Sequence, residues 1–88
     1  MPLKQVVRLA VYSKTEYNYL LEVLDDATDI PACFEQWLEL HKAEKQAIYN
    51  RSCKIKEIKI DVDELIEYCE LRKLKIDAKA IIQFVKNY

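Results

Sequence analysis

Apolar and polar residues change their period several times along this chain, and each change marks an element. In residues 5–12, Val7, Leu9 and Val11 fall on one face, with Arg8 and Tyr12 on the other. That alternation in a β-branched-rich run predicts a strand. Ser13 stands three residues before Glu16, the spacing of a capping box, so a helix is predicted to start at Lys14. Tyr17, Leu20, Leu21 and Leu24 form its apolar stripe, and the polar segment 25–29 ends it. Pro31 opens a second, longer helix over about residues 31–49. Its stripe is Phe34, Trp37, Leu38, His41 and Ile48, widened by Leu40, Ala43 and Ala47.

Residues 55–61 alternate again, with Ile58, Ile60 and Val62 on one face and Glu57, Lys59 and Asp61 on the other. This predicts a second strand with a wet side. Ile55 and Cys53 are out of phase with it, which points to a bulge near Lys56 or to a strand that begins only there. The run from Ile58 to Tyr68 then recurs sixteen residues later as Leu74 to Phe84. The repeat reads as shared helix-entry grammar. Asp61 and Asp77 are the caps, and Ile60 with Leu65 and Ile76 with Ile81 are hydrophobic staples. Two short helices are predicted, over about residues 62–72 and 78–87.

The order strand, helix, helix, strand, helix, helix (β-α-α-β-α-α) defines one small α+β domain over residues 1–88. If each short connection reverses the chain, three reversals separate the strands. The expectation is two antiparallel strands with the four helices mainly on one face. A two-stranded sheet is marginal by itself, so its edge is expected to pair with a second copy, completing a four-stranded sheet in a symmetric homodimer.

Composition narrows the chemistry. The 88 residues include no glycine, where ordinary usage of about 7% would supply roughly six. Phosphate loops, dinucleotide fingerprints and nucleophile elbows need glycine where the backbone turns sharply or approaches a ligand, so those classes drop out. The net charge of −1 argues against a globally basic nucleic-acid binder. Three cysteines, Cys33, Cys53 and Cys69, show no C-x-x-C pair and read as reduced thiols of a cytoplasmic protein. Neither a secretory signal nor a membrane-length apolar run is legible.

Candidate sites are sparse. His41 is the only imidazole, and a pairing with Cys53 or Cys69 through the fold is the one enzymatic arrangement the sequence leaves open. Acidic clusters at Asp25, Asp26 and Asp29 and at Asp61, Asp63 and Glu64 lack the spacing of a calcium loop. The second cluster is explained by the preference of helix N-termini for acids. No catalytic residue, metal ligand or cofactor is assigned. Six tyrosines and a tryptophan supply amphipathic rings of the kind that anchor interfaces. Tyr12 and Tyr19, which lie off the main stripes, together with Trp37, are the expected partner-binding residues.

The leading expectation is a non-catalytic cytoplasmic protein, an adaptor, inhibitor or regulator, that acts by protein–protein contact and self-associates. The alternative is nucleic-acid binding by a helix-turn-helix-like pair at residues 62–87. It would use Lys75, Lys79, Gln83 and Lys86, with Lys54 and Lys56 adding charge from the second strand.

Overall fold

The structure is a computed structural model and describes residues 5–88; residues 1–4 of the expected domain lie outside the described residues. The element order is β1 (Val6–Val11), α1 (Lys14–Val23), α2 (Phe34–Asn50), β2 (Lys54–Lys59), α3 (Val62–Arg72) and α4 (Ala78–Lys86). Local signals place the starts of α1, α3 and α4 as the sequence predicts. The Glu16 amide donates to Ser13 Oγ at 3.1 Å. The Asp63 amide donates to Asp61 Oδ1 at 2.9 Å, and the Ala80 amide to Asp77 Oδ1 at 2.9 Å. Each cap satisfies an amide that the helix itself leaves unpaired.

The strands are parallel, which overturns the antiparallel expectation. Val6 pairs with Lys54 and the register runs without a break to Val11 with Lys59. The reason lies in the segment between α1 and α2. The Tyr17 hydroxyl, in the first turn of α1, donates to the Pro31 carbonyl at 2.6 Å. α1 and the following loop are therefore an excursion that returns to its starting point. Only α2 carries the chain back to the start of the sheet, and a strand, one return helix and a strand give a parallel pair. The tie also displaces the start of α2 from residue 31 to Phe34, because Pro31 belongs to the loop that receives Tyr17.

Register partners share a face, so Leu9 lies beside Glu57 and Ala10 beside Ile58. Glu57 meets Lys45 of α2 at 2.8 Å, which places α2 over the face of Leu9. Arg8, on the opposite face, donates to the Lys86 carbonyl of α4 at 2.8 Å. The sheet is thus covered on both sides, not mainly on one. That accounts for Ile55 without the bulge expected near Lys56, since Ile55 belongs to the face under α2 and the register is unbroken.

The main core fills the space between the sheet and α1, α3 and α4. Tyr12, Tyr17, Leu20, Ile58, Ile60 and Leu65 belong to it, with Val62, Cys69, Ala80, Ile81, Phe84 and Val85. The α2 layer is thinner. Of its 17 residues only Ile48 is fully buried, while Leu40, Ala43 and Ala47, expected to widen its stripe, are exposed.

A chain without glycine must make its left-handed turns with other residues. Asp29, Ser52 and Lys73 have φ of 65°, 59° and 55°. Lys73 closes α3 in a Schellman-type turn, with the Leu74 amide donating to the Cys69 carbonyl at 2.8 Å. Lys73→Gly should relieve the Cβ crowding and raise the unfolding free energy by about 1 kcal/mol in a urea titration. Leu65→Ala should lower it by about 3 kcal/mol in the same measurement, as expected for emptying a fully buried leucine site.

Candidate functional site

Parallel pairing leaves an open edge on β1. The Lys54 amide donates to the Gln5 carbonyl and the Ile60 amide to the Val11 carbonyl, both at 2.9 Å. The backbone groups of the odd-numbered residues of β1 therefore face β2. By the alternation of a strand, the amides and carbonyls of Val6, Arg8 and Ala10 point the other way. Among the described residues no other backbone group pairs with them.

Helices flank this edge from both faces and turn it into the floor of a groove. One cavity of about 940 Å³ is lined by Val6, Arg8, Ala10, Lys56, Ile82 and Lys86, with Leu9, Glu44, Ile81 and Val85. A second, of about 330 Å³, shares Leu9, Ala10, Glu44, Ile81 and Ile82 with the first and continues to Tyr12, Trp37, Leu40 and Pro31. The walls carry large apolar side chains that the fold leaves uncovered. Leu40 on α2 is 61% exposed, Ile82 on α4 66% and Val6 on β1 57%. The groove is apolar at the α2 N-terminal end and carries Arg8, Lys56 and Lys86 toward the other, with Glu44 as the opposing acid.

The expected anchor residues are placed differently. Tyr12 is buried, with its ring edge-on to Tyr17 at 5.3 Å and to Trp37 at 5.2 Å. It was expected off the stripes and exposed, but the sheet is covered on both faces, so the residue following β1 is enclosed as well. Tyr19 is half-buried and donates to Asp63 Oδ1 at 2.7 Å, joining α1 to α3. That hydrogen bond to the ionised acid, followed by burial, raises its phenol above the ordinary value. Trp37 is half-buried and stacks on His41 with ring centres 4.8 Å apart. Only Tyr12 and Trp37 of the three reach the groove, at its closed end.

The cationic candidates do not form one surface stripe. Lys79, Gln83 and Lys86 recur at i, i+4 and i+7 along the exposed side of α4, and Lys75 sits in the turn before it. Lys54 and Lys56 share the Arg8 face of the sheet by register. Of the six, Lys56 and Lys86 line the groove.

The remaining polar candidates are engaged in structure. Asp25 Oδ2 accepts from the Ile76 amide at 2.8 Å, and Asp26 Oδ1 from the Thr28 amide at 2.9 Å. Asp61 caps α3 and Asp63 accepts from Tyr19, so four of the six acids in the two clusters are engaged in hydrogen bonds. Among the described residues no group of three potential ligands gathers at one point. Burial holds the His41 imidazole below its ordinary value, aided by the neighbouring Lys45 charge. Burial likewise raises the Cys69 thiol, with Asp77 adding to it.

The groove residues Leu40 and Ile82 were missed by sequence reasoning, although each carries a signal. Leu40 sits beside the main stripe of α2, and Ile82 adds an apolar position next to Ile81. A scan of protein-family models, a search of the curated proteins and a search of the solved structures each return no match to this chain.

The aromatic cluster has a pH signature. Burial, then the nearby Cys33 thiol, pushes the Tyr17 phenol up to about 12, and burial with Tyr17 beside it raises Tyr12 further. The folded protein then holds protons that an unfolded tyrosine releases near pH 10, so unfolding becomes easier as pH rises above that value. The urea midpoint should begin to fall near pH 9, where an unfolded Cys69 thiol releases its proton, and fall further from about pH 10 to about pH 12 as the tyrosines contribute. A Tyr17→Phe variant measured across the same range should lose part of that slope.

Proposed function

We propose that this protein is non-catalytic and acts by protein–protein contact, with the open edge of β1 and its flanking groove as the contact surface. The observation that carries the reading is the coincidence of two kinds of unmet demand. Val6, Arg8 and Ala10 offer unpaired backbone donors and acceptors, and Leu40 and Ile82 offer exposed apolar surface beside them. An extended segment laid along β1 would answer both, gaining ladder hydrogen bonds from the edge and side-chain contacts from the walls. The thin burial of α2 supports the same surface, since a long helix with one fully buried residue has apolar area to offer.

The non-catalytic part of the reading rests on how the reactive groups are held. Burial pushes the His41 imidazole down and the Cys69 thiol up, each away from the charged form that a thiolate–imidazolium pair requires. A cytoplasmic setting is consistent with three cysteines that are all free thiols. Among the described residues no helix is long and apolar enough to cross a membrane.

The nucleic-acid alternative draws on Lys79, Gln83 and Lys86 along the outer side of α4. It gains no more than two cations from that stripe, which starts beside Asp77. Phosphate-driven binding requires a denser field and weakens steeply with salt. Anisotropy with labelled DNA and RNA should therefore give flat traces at 50 and 200 mM salt; salt-sensitive binding lost in a Lys75→Glu, Lys79→Glu variant would favour the alternative.

The contact surface is tested with a partner recovered by co-purification. Ile82→Arg and Leu40→Arg should each weaken its binding at least ten-fold and leave the thermal midpoint within a few degrees. Leu71→Arg, at a position 74% exposed and outside the groove, is the control and should bind as the wild type does. Unchanged binding by the two groove variants would remove the groove from the function.

A further inference from the structure

Resting on the reading of the β1 edge as a docking edge, we infer that its occupant is an extended segment of a partner protein bearing an apolar residue and an acidic residue two positions apart. The charge of the groove carries this. The ionisable lining of its larger cavity is Arg8, Lys56 and Lys86 against Glu44, a local balance of +2 in a chain whose total is −1, while Asp29 and His41 line the smaller cavity at the other end. Arg8 is held in place by its hydrogen bond to the Lys86 carbonyl at 2.8 Å, so its charge stays at the groove. Among the described residues the ion pairs are Lys14 with Glu35 and Lys45 with Glu57, and neither occupies any of the three groove cations.

The spacing follows from the strand. Residues of an added strand that face α4 recur every second position, about 6.6 Å apart. At the level of Ala10 such a residue meets Ile82 and Ile81, which calls for an apolar side chain. At the level of Arg8 its neighbour meets Arg8, Lys56 and Lys86, which calls for a carboxylate. A second copy of this chain that paired edge to edge through β1 supplies the wrong charge. Its own β1, Val-Val-Arg-Leu-Ala-Val, has no acid and would bring another Arg8 to the edge. A nucleic acid would match the cations but leave the apolar wall and the edge amides without partners.

The test uses three labelled ten-residue peptides of threonine and valine that carry one Ile-Val-Glu, Ile-Val-Gln or Ile-Val-Lys step. Anisotropy is read beside amide chemical shifts of the protein. The Glu peptide should bind at least ten-fold more tightly than the Lys peptide and shift the amides of Val6, Arg8 and Ala10. Arg8→Glu, which brings the charge of that cavity to zero, should abolish that preference. Because Arg8 also ties α4 to β1, Lys56→Glu at an exposed position is measured alongside and should narrow the preference several-fold. Equal binding of all three peptides with shifts at those amides would leave the docking edge standing and overturn the acidic segment. Failure of every peptide to shift those amides at millimolar concentration would overturn it as well. The inference also falls if sedimentation shows a dimer that Ile82→Arg dissolves, which would give the edge to a second copy, or if single-stranded RNA binding is lost in Arg8→Glu.

Discussion

The Tyr17 hydroxyl lies 2.6 Å from the Pro31 carbonyl, and the topology depends on that tie. It folds α1 and its trailing loop into a closed excursion, so α2 alone spans the return to the sheet and β2 must run beside β1 in the same direction. The ring that makes the tie is itself fixed by packing, between Tyr12 at 5.3 Å and Trp37 at 5.9 Å. Burial of those rings and the direction of the strands are therefore one constraint seen from two sides.

Parallel pairing has consequences for where surface is left over. Two strands covered by helices on both faces bury the sheet well, but among the described residues they leave both edges without a further strand. On β1 the flanking helices stand far enough apart that the edge becomes the floor of a groove. The same arrangement makes α2 a thin cover. It contributes Ile48 to the interior and shares the groove wall through Leu40. A domain of this size has little core to spare, and three of its uncovered apolar side chains, Val6, Leu40 and Ile82, line the groove, while Tyr49, Leu71, Leu74 and Tyr88 lie outside it.

Charge follows the same geometry. Arg8, Lys56 and Lys86 come from a strand, its neighbour and the last helix, and only the register and the position of α4 bring them together. Four of the fifteen acids, Asp25, Asp26, Asp61 and Asp77, accept from backbone amides. Asp61 and Asp77 cap helices, and Asp25 ties the loop after α1 to the turn before α4. A nearly neutral protein thereby acquires a positively charged groove without a basic run in its sequence.

The sequence by itself determined the elements and the starts of α1, α3 and α4, because those are set within a few residues. Ser13, Asp61 and Asp77 satisfy amides two or three positions away, and alternation in β1 and β2 needs no distant partner. The out-of-phase Ile55 already held the sign of a sheet covered on both faces, and was read as a bulge because one face was assumed wet. Strand direction, the burial of Tyr12 and the groove were decided by tertiary structure alone. Each depends on which residues far apart in the chain come to touch, as Tyr17 touches Pro31 and Arg8 touches Lys86, and no local period records such a meeting.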